Sequence, residues 1–176
     1  PLSRYATPEQ QGAFFAALAD DLRARPGVVG VAITTQLPLT GTGALSALSV
    51  AGTTVAAPER PSADVRSVTP AYFSLLNLHA TRGRLLEPKD GDRAVAVLSE
   101  HLAAQAWPGL DPLGRRFRFG LNPAAPEFEV VGIVTDVRGT ALDQPPTPTA
   151  YVPFPQRTRS TATIMVRTTG EPLRLA

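Results

Sequence analysis

The sequence contains no cysteine, which excludes disulfide scaffolds, Cys-ligated zinc and thiol catalysis. It does not fix the compartment, because an exported protein can simply lack cysteine. Lysine is almost as scarce: Lys89 is the only one among 17 cations. Charge of one sign is also lacking, since the formal net charge is only +2 over 176 residues. A nucleic-acid binder concentrates positive charge on one face, so this balance gives it little support. Long apolar runs are missing too. The best of them, such as Val130 to Val134, fall far short of the ~20 residues needed to span a bilayer, and no signal-peptide pattern is present. With Pro1 at the start and Met165 as the sole methionine, the expectation is a soluble piece of a longer protein.

What is present is an apolar fraction of 43%, too high for a disordered chain at this charge. At this length a globular chain buries roughly 70% of its unfolded surface, enough for one domain or two small subdomains. Thr7-Pro8-Glu9-Gln10 reads as a helix start, with Thr7 as N-cap, Pro8 at the first helical position and Gln10 completing a capping box. Phe15, Leu18 and Leu22 follow at helical spacing, and Pro26-Gly27 ends the helix. Val28 to Thr35 reads as a strand. Leu45 to Val50 and Thr53 to Ala56 flank Ala51-Gly52 as a weak hairpin. Ala63 to Val68 is a further strand, and Thr69-Pro70 repeats the cap-plus-proline signature before a short helix with Tyr72 and Phe73.

Leu85 to Asp92 reads as a charged turn. Ala94 to Leu98 is strand-like, and Ser99-Glu100 caps a helix to about Trp107, where Pro108-Gly109 breaks it. Arg115 to Phe119 alternates, Phe117 and Phe119 opposing Arg116 and Arg118. Glu127 to Val137 is the strongest strand. Pro145 to Pro155 suits an edge strand or a covering loop. Thr161 to Val166 is a last strand, and Pro172 onward looks like the first turn of a helix. The expected fold class is α+β, with mixed or antiparallel sheets and two or three short helices.

Chemistry-bearing motifs are absent from the sequence: no Walker-type phosphate loop, no G-x-S-x-G elbow and no H-E-x-x-H. His79 and His101 stand apart and suggest no metal site. Glu87, Asp90 and Asp92 lack the spacing of a calcium loop and read as a solvated acidic turn. The arginines of the alternating strand would share a face without the phenylalanines, whereas a stacking platform needs both together. Gly83 in Arg82-Gly83-Arg84 permits a special backbone conformation, and the two arginines can fork onto carboxylates of the same domain. Asp136 and Arg138 flank a strand end, where they would pair or cap. No catalytic, cofactor-binding or metal-ligating residue is assigned, and no cofactor is expected. A hydrolase using Glu100, His101 and Asp136 remains the alternative from another class, motivated only by residue type. A nucleic-acid module on the arginine strand comes after it.

The order of short motifs says more than any one of them. Pro26-Gly27-Val28, Leu37-Pro38-Leu39, Val68-Thr69-Pro70-Ala71-Tyr72-Phe73, Arg82-Gly83-Arg84, Asp90, Trp107-Pro108-Gly109 and Asp111-Pro112-Leu113-Gly114 come first. The run Val130 to Arg138, then Tyr151-Val152-Pro153 and Val166-Arg167 complete the series. It resembles the periplasmic core domain of MacB-type, FtsX-like ABC transporter permeases, in particular the long permeases common in acidobacteria. The resemblance implies a non-enzymatic extracytoplasmic domain, tethered between transmembrane helices at the periplasmic face of the cell membrane and serving export. It implies two lobes: a βαβ-rich lobe from 1–39 and 160–176, incomplete at both ends, and an inserted β-rich lobe from 40–159. The strand expected before Tyr5 and a closing helix and strand would complete the first lobe. The implied partners are the rest of the permease, its nucleotide-binding subunit, and a periplasmic adaptor, lipoprotein or second permease copy; nucleic acid is not among them. No ATP-binding signature is present, and the transported substrate does not carry over. Partner contact is expected from Thr40 to Ala47 and Gly139 to Thr149, both read as loops that order on docking.

Overall fold

The computed structural model describes residues 7–41, 43–50, 60–137, 145–157 and 161–170. Its first element, α1 (Pro8–Arg23), begins as its sequence dictates. The Thr7 hydroxyl accepts from the Gln10 amide and the Gln10 side chain accepts from the Thr7 amide, both at 3.3 Å. Phe15 and Ala19 are buried on one face of α1 and pack on Val31, Ile33 and Phe154. The ion pairs of Asp20 with Arg23 and Asp21 with Arg25 lie on its exposed side, where such pairs contribute little.

β1 (Val28–Thr34) forms an antiparallel ribbon with β9 (Thr163–Thr168), in register from Thr34 opposite Thr163 to Gly30 opposite Arg167, with a shift before Val28 opposite Thr168. The remaining strands are β2 (Ala44–Val50), β3 (Ser62–Val68), β4 (Ala80–Gly83), β5 (Val95–Ser99), β6 (Arg116–Phe119), β7 (Glu127–Val134) and β8 (Thr149–Pro153). Six of them run in the order β2-β6-β7-β5-β8-β3, and β3 pairs back with β2. The ladder therefore closes on itself as a small barrel. Closure depends on β2 serving two partners, Ala44 to Ala47 pairing with β3 and Leu48 to Val50 with β6. Two of the six junctions, β3 with β8 and β5 with β7, are parallel. The sheet is mixed, as the α+β reading expects.

Alternation along each strand sends one set of side chains inward. Leu48, Val65, Leu98, Phe117, Phe128 and Val152 belong to one buried cluster. Phe119 stands edge-on to Phe117 and to Phe128, with centroids 5.0 Å away in each case. Each fully buried side chain of this size contributes about 2–3 kcal/mol. The short helix α3 (Glu100–Ala106) adds Leu102 and Ala106 to the same cluster. Outside the barrel, α2 (Ala71–Leu75) lays Tyr72 and Phe73 over Val95, Val97 and Tyr151. Ala32 of β1 and Met165 of β9 join this second core, so the ribbon and the barrel share it.

Four expectations need correction. Tyr151 and its neighbours do not lie at an edge: β8 is buried along its whole length, between β3 and β5. Its prolines precede the strand or end it at Pro153, so the ladder loses few donors. Thr69 does not cap α2 with its side chain; its hydroxyl accepts from the Ile33 amide at 2.9 Å and ties β1 to the helix start. Asp90 is not solvated but fully buried, in a 3-10 turn over Pro88–Asp90. Neither expected docking loop is a loop throughout, because Ala44 to Ala47 belong to β2 and Thr149 to β8. The second half of the weak hairpin, residues 138–144 and the turn after Pro172 lie outside the described residues.

Candidate functional site

Three places gather chemistry, and each grows from a short stretch of sequence. The first is Arg82-Gly83-Arg84 in and just after β4. Gly83 has φ +67 and faces Gly132 of β7, which brings the two backbones close and sends the flanking arginines outward. Arg84 grips Asp90 with both ends of its guanidinium, at 2.6 and 2.9 Å. Arg82 pairs with Asp111 at 2.8 Å. Both arginines therefore meet carboxylates of the same domain, as expected from the motif. The Arg84 hydrogen bonds hold the Asp90 carboxyl below its ordinary value, against the opposing effect of burial.

The second place is the start of α3. Ser99 accepts from the Leu102 amide and also from the Thr149 amide of β8. Asp136 accepts from the His101 amide at 3.0 Å. The carboxylate thus caps the helix and does not orient the imidazole, whose Nε2 lies 3.0 Å from the Gln105 side-chain nitrogen. Glu100 and His101 are exposed. These three residues come near one another, but as a capping arrangement. Arg138, the other residue expected to pair or cap here, lies outside the described residues.

Beside α3 a groove of about 250 Å³ opens between the helix, β4 and the turn after Trp107. Ala103, Trp107 and Leu110 supply its apolar lining, and Arg82 and Glu100 its charged groups. On the barrel's β6 side, Arg116 and Arg118 both point at Glu127, at 3.7 and 3.2 Å. The two arginines of the stripe thus share a single carboxylate of the same domain. Among the described residues no group of three or more His, Asp or Glu is placed to hold a metal.

The third place escaped the sequence reading. Asp64 and Arg66, two apart on β3, share one face and form an ion pair at 2.8 Å with both side chains wholly buried. Arg66 donates from Nε and Nη2 to the same Asp64 oxygen. The other oxygen accepts from the Gly43 amide at 3.0 Å, pinning the connection that runs from β1 to β2. In that connection Gln36 donates to the Thr40 hydroxyl at 2.7 Å, and Leu39 stands exposed at φ 62. Burial works against the Arg66 charge, but Tyr72, Asp64 and Tyr151 outweigh it and raise its pKa. Burial pushes the hydroxyls of Tyr72 and Tyr151 up, so both stay protonated. Opposite charges at i and i+2 in a strand of otherwise small and branched residues were the available signal.

No described helix is long and apolar enough to cross a membrane. A family model for the MacB-like periplasmic core domain matches residues 3–172. No curated protein matches the chain. Among solved structures, the periplasmic region of MacB from Actinobacillus actinomycetemcomitans is similar with a TM-score of 0.65 at 20% identity, over 91% of this chain and 68% of that one. The extracellular domain of the noncanonic ABC-type transporter YknZ from Gram-positive bacteria gives a TM-score of 0.61 at 16% identity, over 86% of this chain and 71% of that one. At these identities the two structures speak for the fold, and the family match speaks for the kinship. The chain belongs to the MacB-like periplasmic core domains, the periplasmic domains of ABC transporter permeases.

Proposed function

We propose that this domain is a non-enzymatic, force-transmitting element of its permease, standing outside the membrane and tethered to transmembrane helices. The observation that carries this reading is the shared core: Ala32 of β1 and Met165 of β9 pack with Tyr72, Val97 and Tyr151. A displacement of the ribbon is passed to the barrel through close-packed side chains, because such cores deform little. In this reading residues 1–39 and 160–176 form the lobe next to the membrane, and residues 40–159 form the inserted lobe that meets partners. A nucleotide-binding subunit drives the motion. An adaptor, a lipoprotein or a second permease copy receives it. The capping roles of Asp136 and Ser99 support the absence of catalysis, since the Asp136 carboxylate is engaged with the His101 backbone amide.

The test uses the full permease with its nucleotide-binding subunit in membrane vesicles. Met165→Ala loosens the shared core while keeping β9 paired. The expected result is a several-fold fall in export with nucleotide hydrolysis retained. Unchanged export, or an equal fall in both activities, would count against transmission through this core.

A further inference from the structure

The run from Glu100 to Pro112 builds one wall of the open groove of about 250 Å³. Glu100, Ala103, Ala104 and Trp107 all line it, and their spacing of three and four puts them on one face of α3. The two alanines carry only methyl groups, which leaves a hollow between Glu100 and Trp107. Gly109, at φ +69, turns the chain after Trp107 and brings Leu110 into the lining. The Leu110 amide donates to the Trp107 carbonyl at 3.1 Å and fixes that turn. Leu110 stands at the rim, 56% exposed. The charges of the lining do not balance. Arg82 is matched by Asp111 at 2.8 Å, and the Leu113 amide holds that carboxylate at 3.0 Å. Glu100 is exposed and has no ion-pair partner among the described residues. The Asp136 carboxylate, bound to the neighbouring His101 amide, adds charge of the same sign.

We infer that this groove is a docking pocket for an extended segment of a partner protein. The segment seats an apolar side chain against Trp107 and Leu110 and sets an adjacent lysine or arginine against Glu100. Charge selects the cation, because the carboxylate at the edge of the hollow is the one left uncompensated. Size selects a side-chain anchor. Sites that enclose whole small molecules measure roughly 300–1,000 Å³, and this groove falls below that range. A single side chain seated in a small pocket carries much of the affinity of a protein interface, and a charged pair at its rim sets the choice of partner. The pocket lies within residues 40–159 and so rests on the reading of that lobe as the partner-facing one, but it is tested by binding alone, apart from export and nucleotide hydrolysis.

The probe is the capped tripeptide Lys-Leu-Lys, titrated at millimolar concentration into the isotope-labelled chain. The Trp107 indole N–H and the Leu110 methyl resonances should shift together and saturate. Capped Lys-Ala-Lys should bind roughly ten-fold more weakly, since it lacks the isobutyl group that fills the hollow. Capped Glu-Leu-Glu should bind more weakly than Lys-Leu-Lys by about two- to five-fold, the scale of an exposed ion pair. Glu100→Gln, at an exposed position, should remove the preference for the cationic peptide, and Leu110→Ala should weaken Lys-Leu-Lys. Absent shifts, indifference to the leucine or to the peptide charge, or a charge preference untouched by Glu100→Gln would overturn the inference. So would concentration-dependent shifts of the same resonances in the peptide-free chain, which would put a second copy in the groove.

Discussion

Gly83 and Gly132 face each other across the β4–β7 pairing, and neither position has room for a side chain. A Cβ on Gly132 would lie 1.9 Å from the Arg84 carbonyl oxygen, and one on Gly83 would lie 2.4 Å from that of Val131. The obstacles are backbone atoms, which cannot rotate aside. Gly132→Ala should therefore destabilise by at least ~2 kcal/mol, the range of overpacked cores. Gly114→Ala serves as the comparison, since its φ of +73 strains alanine but nothing lies within 4 Å; its cost should stay near 1 kcal/mol, about the penalty of the left-handed region alone. Urea denaturation of both variants checks the order.

The Asp64–Arg66 pair should show the asymmetry of buried charge. Asp64→Ala leaves the guanidinium buried and uncompensated, at a cost of about 3–5 kcal/mol. Replacing both together, Asp64→Leu with Arg66→Met, should recover most of that loss. A double-mutant cycle by denaturation measures the coupling. Additive losses would show that the two side chains act independently.

Asp90 predicts a pH dependence. Its folded carboxyl titrates below the ordinary value of 3.8 because Arg84 hydrogen bonds to the charged form. The stability it contributes is complete above 3.8 and is lost as pH falls through the lower folded value. Acid titration of the wild type should thus show a steeper loss below about pH 4 than Asp90→Asn. At neutral pH the variant should be weaker by about 2 kcal/mol, the scale of a charge-assisted hydrogen bond.

Ser99 makes a prediction out of proportion to its size. Its hydroxyl accepts from two buried amides, Leu102 on α3 and Thr149 on β8. Ser99→Ala leaves both amides unsatisfied and should cost about 2–3 kcal/mol. Hydrogen exchange should report the loss locally, with faster exchange at both amides than at the α1 core.

The elements governed by neighbouring residues were legible in the sequence. The Thr7–Gln10 box, the Ser99 cap and the alternation of Phe117 and Phe119 depend on atoms a few positions apart, and each appears where the pattern puts it. What escaped depends on distant partners. Three prolines at 145, 146 and 148 made the approach to Tyr151 look peripheral, because the residues that flank β8 belong to β3 and β5. β4 went unread as a strand, since its short run carries Arg82 and Gly83 and, among the described residues, pairs with β7 alone. Asp64 looked ordinary in sequence because its burial is created by Gly43 and Arg66 once β2 is paired. Barrel closure left no local mark on β2, which reads as one strand and pairs as two halves.

That divided β2 pairing also bears on the order in which the chain acquires its shape. β2 meets β3 close in sequence, but β3 meets β8 only when Asp64 finds Thr149, 85 positions later. Such distant pairings slow folding, because the intervening chain must be ordered before they form. Synthesis from the N-terminus presents β2 and β3 early, with no sixth strand to close the ring. Until residue 149 has emerged, β3 offers β8's place as an open edge. The newborn chain thus passes through a stage that invites wrong strand pairing, a hazard that disappears with the last turn of the ring.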